Sequence, residues 1–476
     1  MKRLFLIFVV LFPFASSAQK NLSVEQAKED VAFLYKRMLQ VHPGLYAYQD
    51  SSHYAEIYQS IYNSFDSEVE YLTFFKRIAP LITEIQDLHT SYRHSKKWSK
   101  THQQVLPFVL QEVEGRFLIQ YNGSSDSTLQ RGLTLKEING KPVEEVIDEV
   151  KGYLGTDNNN DLAKGLYASR SLYAYYGKLH PLKDSVTVVV KNDTLNELET
   201  HKLATLTRKE LIPTVLQRYP DKARVNLNYS VIDSTRAVSE IDISSFSYKG
   251  GPLDVFQGKF TRKLRQSFKK VAKDSVQHLV LDLRQNGGGY IPNVKKILKY
   301  VSKEPFAMID TMAFRQSAYF RLFPVQAILP PLMAPIYFNK TEDGYRYHAS
   351  ERRKKPKENK WHYDGPLYVY MDANSYSATV FTIALLKDMD RATFLGTIPA
   401  GTTWGSYAGS FHLPKLPNSK IQLRIPFYKV VHGLQKRPQK LFLEPDIKVD
   451  ISKEQFQKDI DPFEEALLNL IKNQGQ

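Results

Sequence analysis

The chain has no cysteine among its 476 residues. That excludes disulfides, thiolate metal sites, a cysteine nucleophile and a lipid-anchored cysteine behind an export signal. Its 12 histidines are dispersed, with no His-x-x-x-His pair, so no metal site and no cofactor is expected. The glycine run Gly287-Gly288-Gly289 is followed by no Lys-Ser/Thr pair and lacks G-x-G-x-x-G spacing, which argues against nucleotide binding. Beyond the N-terminus no apolar run reaches membrane-spanning length without prolines or charges. Clear repeats and a low-complexity tail are also missing.

What is present is the composition of an ordinary globular protein, 42% hydrophobic and 24% charged, in a chain long enough for two or three domains. The formal net charge is +15, but the Lys and Arg residues are scattered. The densest run, Arg352-Arg353-Lys354-Lys355-Pro356-Lys357, holds a proline and reads as a solvated loop. A nucleic-acid partner is therefore not expected, whereas attraction to anionic surfaces is.

The N-terminus reads as an export signal over residues 1–18. Lys2 and Arg3 supply the positive start, Leu4 to Phe14 the apolar core and Ser16-Ser17-Ala18 the cleavage site. The expectation is cleavage after Ala18, a periplasmic or secreted location and no integral membrane segment afterwards. Residues 19–103 read as a helical domain. Ser23 and Gln26 form a capping box ahead of the stripe Ala27, Val31, Leu34 and Met38, and His42-Pro43-Gly44 ends that helix. Ser67 and Glu70 suggest a second box before Leu72, Phe75 and Ala79. The domain closes on a polar loop, Gln86-Asp87-Leu88-His89-Thr90-Ser91.

From 104 to 200 the period changes to that of strands, at Val105–Phe108, Phe117–Gln120 and Val186–Val190. Asn139-Gly140 is a hairpin signal, and a helix begins at Val143. The pattern looks like a PDZ-type module, which binds peptide ends by strand addition; an unrelated small β-rich domain fits it as well. Residues 201–236 read as a polar connector. From 237 to 452 strands alternate with helices, at Ile241–Phe246, His278–Leu283, Ile291–Val301, Leu367–Met371 and Ala392–Leu395. That order calls for a largely parallel sheet with crossover helices. Phe323–Phe338, apolar with four prolines, reads as a lid or a connector. Residues 453–476 read as a C-terminal helix.

Two turns in this half could carry chemistry. Asn286-Gly287-Gly288-Gly289 follows a strand and can present backbone N–H groups to an oxyanion, or be a plain turn. Asp372-Ala373-Asn374-Ser375 separates a buried strand from a helix with Ala378, Phe381, Leu385 and Met389 on one stripe. Ser377 then stands at the helix start, where unpaired N–H groups favour negative charge. It reads either as a cap or as a nucleophile on a sharp turn.

Asp282-Leu283-Arg284-Gln285-Asn286-Gly287-Gly288-Gly289 resembles the D-L-R-x-N-x-G-G signature of the tail-specific, or C-terminal-processing, serine peptidases, whose superfamily includes the tricorn type. Ser375-Tyr376-Ser377-Ala378-Thr379 resembles their S-x-S-A-S nucleophile turn. Leu395-Gly396-Thr397, Ala400-Gly401-Thr402 and Glu444-Pro445-Asp446-Ile447-Lys448-Val449 resemble later family segments. The resemblance implies an α+β multidomain protein: an N-terminal helical domain, a PDZ-like module and a ClpP/crotonase-like α/β catalytic domain. It implies an exported serine endopeptidase acting on peptides or proteins through an acyl-enzyme, with the oligomeric state left open. Ser377 would be the nucleophile, and Ala378 with Gly287 or Gly288 the oxyanion hole. The family's lysine base is missing, since Thr402 stands there. His89 takes its place as base, as in tricorn-type relatives, with Asp87, Ser91 or Glu444 as the group that orients it. His412 and His432 are fallback bases, and Asp388 matches a family aspartate. The other reading of the resemblance is a non-catalytic peptide- or lipid-binding protein on the same fold.

Overall fold

The computed structural model describes residues 21–474 except 194, 221–224, 252, 323–335, 348–352 and 358. The expected export segment, most of Phe323–Phe338 and Arg352 of the basic run lie outside the described residues.

The chain begins with helices α1 (Val24–Val41), α2 (Ser51–Asn63), α3 (Tyr71–Arg77) and α4 (Pro80–Thr83), then a short strand β1 (Ser91–Arg93) and α5 (Lys96–Thr101). The Ser23/Gln26 capping box closes reciprocally on α1, and the expected stripe is its buried face. The second expected box does not form. Ser67 turns its hydroxyl to Asp66, and Glu70 takes the cap position with no capping hydrogen bond.

The strand-rich region follows: β2 (Gln104–Val105), β3 (Phe108–Val113), β4 (Arg116–Asn122), β5 (Thr134–Ile138), β6 (Lys141–Pro142), α6 (Val143–Lys151), α7 (Asp161–Leu179), β7 (Ser185–Asn192), β8 (Glu197–Ala204), β9 (Leu206–Thr207) and α8 (Arg208–Arg218). Strands pair in the order β3-β4-β5-β7-β8, with β6 on β5. Asn139 (φ 50°) and Gly140 (φ 77°) both take the left-handed conformation of a tight hairpin turn. The connector expected at 201–236 is instead structured. It holds the end of β8, then β9, α8 and the strand β10 (Leu227–Asp233). Its polarity reflects one-sided burial, since α8 buries only Leu211.

The last region contains β11 (Val238–Ile243), α9 (Gly258–Lys273), β12 (His278–Asp282), α10 (Pro292–Val301), β13 (Ile309–Arg315), α11 (Tyr319–Leu322), β14 (Phe338–Lys340), β15 (Gly344–Tyr347), β16 (Leu367–Met371), α12 (Ala378–Asp388), β17 (Thr393–Gly396), β18 (Gly405–His412), β19 (Gln422–His432) and β20 (Ile447–Lys448). One sheet runs β10-β11-β12-β16-β17-β20. Every pair from β11 onward is parallel, and β10 is an antiparallel edge. The neighbours β12 and β16 therefore release their following turns at the same sheet edge. A second sheet runs β1-β19-β13-β15-β14, with β18 also on β19. In it β1 registers Ser91 opposite Arg424, which carries the preceding histidine loop across to the C-terminal half.

Helix α12 differs from the expected one-sided stripe: every residue from Ala378 to Leu386 is buried. Its flanks pack on α10 and on β19, so no face meets solvent. The C-terminal segment is two helices, α13 (Lys453–Gln457) and α14 (Pro462–Gln474). They are separated at Asp459 (φ 57°), and Pro462, with no N–H to give, opens the second.

Candidate active site

All five residues of β16 are buried, and the chain must turn where the polar Asp372–Ser375 segment begins. The Ser375 hydroxyl donates to the Leu283 carbonyl (2.8 Å), and the Thr379 hydroxyl donates to the Asn286 carbonyl (2.8 Å). These bonds staple the turn after β16 to the turn after β12. Ser377 is left at φ 57°, ψ −120°, a conformation that a non-glycine residue adopts only under constraint. Ala378 opens α12, so its N–H has no partner within the helix.

The glycine turn lies directly against this serine. A Cβ on Gly288 (φ +89°) would stand 2.8 Å from both Ser377 Cβ and Ala378 N. The Gly288 N–H already donates to the buried Asn286 Oδ1 (2.8 Å). The expected oxyanion-hole role of Gly288 is corrected accordingly: it provides close approach rather than a free donor. The Gly287 N–H has no acceptor among the described residues, and the space beside Gly287 is open.

Across 288 residues of sequence, His89 Nε2 reaches 3.2 Å from Ser377 Oγ. His89 is 4% exposed, with the Tyr376 ring at 4.6 Å and the Phe411 ring at 6.1 Å from its own ring. With Nε2 accepting from the hydroxyl, Nδ1 carries the ring proton. It faces Asp87 Oδ1 at 3.7 Å and has no hydrogen-bond partner. The loop itself is pinned. The His89 N–H donates to Asp87 Oδ1 (3.1 Å), and Arg424 Nη1 donates to the His89 carbonyl (2.6 Å).

Asp87 is fully buried and is a hub. Its Oδ2 meets His42 Nε2 at 3.2 Å and accepts the Thr90 hydroxyl at 2.5 Å. Burial pushes its carboxyl up, but hydrogen bonds and charge from His42 and His89 outweigh that and hold it well below the usual carboxylate range. A second buried acid, Asp157, accepts the Leu88 N–H at 3.0 Å. Burial, and then the negative charge of Asp87, push the Asp157 carboxyl up to about 8. Of the two neighbouring acids, Asp87 is the ionised one and Asp157 the neutral one.

The structure thus brings Ser377, His89, Asp87, Ala378 and Gly287 together. It does not bring the other expected orienters to the base. Ser91 is committed to strand β1, and Glu444 is half exposed and paired with Lys440. No hydrogen bond joins either side chain to His89 among the described residues. Thr402 spends its hydroxyl on the Gly405 carbonyl (2.7 Å). His432 is buried on Phe381 and bonded to the Thr403 carbonyl, and His412 lies near Phe427. Asp388 accepts the N–H groups of Gln435 and Lys436. Three contributors escaped sequence reasoning: His42, read only as a helix stop, Asp157 and Arg424. Among the described residues no group of acids and histidines could hold a metal ion.

Residues 238–449 match the model of Peptidase family S41, and residues 102–212 match that of a PDZ domain. Among curated proteins none matches the chain. Solved structures that share the fold include three forms of CPAF. Mature CPAF is 15% identical, with 95% of this chain and 99% of that chain covered and a TM-score of 0.66. Mature CPAF complexed with lactacystin is 16% identical, with 94% and 99% covered and a TM-score of 0.67. The CPAF S499A mutant is 14% identical, with 91% and 94% covered and a TM-score of 0.63. The chain thus carries a serine-type peptidase domain of family S41 over 238–449, with a PDZ domain ahead of it.

Proposed function

We propose that the protein is an exported serine endopeptidase that cleaves peptide bonds through an acyl-enzyme on Ser377. As Ser377 Oγ attacks the scissile carbonyl carbon, its proton passes to His89 Nε2. The carbonyl oxygen becomes an oxyanion and accepts the Ala378 and Gly287 N–H groups. Asp87, held ionised, keeps the His89 proton on Nδ1 and stabilises the imidazolium. That imidazolium gives its proton to the leaving amine as the C–N bond breaks. Water, deprotonated by the same imidazole, then hydrolyses the ester and restores Ser377. The PDZ domain would deliver peptide chains to this site. Export rests on the N-terminal pattern Lys2-Arg3, Leu4–Phe14 and Ser16-Ser17-Ala18.

One observation carries this reading: His89 Nε2 lies 3.2 Å from an oxygen on a serine held at φ 57°. A fluorophosphonate probe tests it. The parent should be labelled and should digest an unfolded protein. Ser377→Ala should show neither activity, and His89→Ala should lose labelling at least about a hundredfold. Digestion by Ser377→Ala at the parent rate would end the proposal.

A further inference from the structure

A cavity of about 670 Å³ lies between α3, α5, β1 and α7. Leu88 and Thr90, the two neighbours of His89, form part of its wall, so the cavity lies against the loop that carries His89. Four cationic side chains line it, Arg93, Lys178, Arg208 and Arg424, and no Asp or Glu does among the described residues. None of the four takes part in an ion pair among the described residues. Lys178, Arg93 and Arg208 act on one another instead. Burial, with the charges of Arg93 and Arg208, lowers the Lys178 ammonium to about 8, whereas at Arg424 burial and the charge of Arg93 are opposed by the charge of the buried Asp87. Lys178 Nζ sits 4.1 Å from the Tyr175 ring centre, and Arg208 6.0 Å from that of Tyr173, so aromatic faces hold these cations towards the cavity. Arg93, Lys178 and Arg208 are like charges gathered with no acidic side chain on the cavity wall among the described residues, which is unfavourable, and an incoming carboxylate relieves that repulsion.

We propose that this cavity is an acid-selective subsite, which takes the Asp or Glu side chains of a peptide whose scissile bond lies at Ser377. The proposal rests on the peptidase reading above and names its substrate class. Long-range attraction works in the same direction, because a chain of net charge +15 draws acidic substrates faster than neutral ones.

The test is binding to Ser377→Ala, followed by fluorescence anisotropy, of two peptides capped at both ends that differ only in Glu against Gln. Capping leaves side-chain charge as the only variable. The Glu peptide should bind roughly tenfold tighter in dilute buffer, the worth of a hydrogen bond to a charged group. The ratio should shrink towards unity at about 1 M salt. In the double variant Lys178→Gln/Arg208→Gln the ratio should fall to about one, while Lys178→Arg should retain the preference. Equal binding of the two peptides, binding of neither, or a preference that survives the double variant overturns the subsite. Failure of the peptidase reading looks different: the parent would escape fluorophosphonate labelling while Ser377→Ala kept its acid preference.

Discussion

Ser377 is held at φ 57° by the bonds of Ser375 and Thr379 to the neighbouring turn, at a cost of about 1–3 kcal/mol that the surrounding packing offsets. The same packing leaves no room at Gly288. Gly288→Ala must push a methyl into Ser377 Cβ and Ala378 N, and its φ of +89° is strained for alanine. We expect kcat/KM to fall about a hundredfold or more, since a shift near 1 Å at reacting groups has that effect. Circular dichroism should remain that of the parent. Asp157 permits a second residue-scale prediction. Folded Asp157 holds its proton up to about pH 8, whereas an unfolded aspartate releases it near 3.9. Between those values the folded chain binds more protons than the unfolded chain, so stability from this group is lost as pH rises. Asp87 has the opposite sign: its contribution is present above the ordinary aspartate range and is lost as pH falls. Asp157→Asn keeps an oxygen for the Leu88 N–H and removes the titration. From about pH 5 to pH 8 its melting temperature should decline less than the parent's, by a few degrees. Parallel declines in thermal scans would refute this assignment.

At the scale of elements, the end of α1 matters more than its body. His42 is the C-cap of that helix, and its ring is also a principal support of the buried Asp87. His42→Ala leaves one carboxylate oxygen with only the Thr90 hydroxyl. We expect a loss of about 1–3 kcal/mol in denaturant unfolding. Fluorophosphonate labelling should slow roughly tenfold to a hundredfold, because His89 loses its fixed orientation. From sequence, α1 was legible to its last turn: the capping box marks one end, the stripe marks the buried face, and His42-Pro43-Gly44 marks the stop. The partner of His42 was not legible, because Asp87 lies 45 residues away and only tertiary packing joins them. The same division runs through the site. The strand–turn–helix around Ser377 is local, and apolar runs broken by a polar turn reveal it. The choice of Asp87 over Ser91 and Glu444 depends on β1 pairing with β19, which removes Ser91 into a ladder. Asp157 sits in a polar run, Thr156–Asn160, where no local pattern distinguishes a buried acid from a solvated one. Helix α12 was legible as a helix but not as a fully enclosed one, since enclosure comes from β19 and α10.

At the scale of the whole molecule, three regions assemble the candidate site: the first brings His89, the last brings Ser377 with the Ala378 and Gly287 amides, and the PDZ-containing region braces both. The loop from Gly155 to Asn160 makes that brace. Asn158 N–H donates to the Gln86 carbonyl, Asp157 holds Leu88, and Asn160 Nδ2 reaches the Pro399 carbonyl. One short loop therefore touches the histidine loop on one side and the segment after β17 on the other, so the PDZ-containing region is mechanically continuous with the candidate site. The closest approach is at Gly155, where a Cβ would stand 2.8 Å from the Asp87 carbonyl oxygen, a backbone atom that cannot swing aside. Gly155→Ala should therefore separate the brace from the base without touching Ser377, Ala378 or Gly287. We expect kcat/KM to drop at least about tenfold. Amide exchange should quicken at Asp87–Thr90 and stay unchanged in β12 and β16, since local opening need not involve the central sheet. Were the loop only a surface connection, Gly155→Ala would leave both exchange and turnover as they are in the parent.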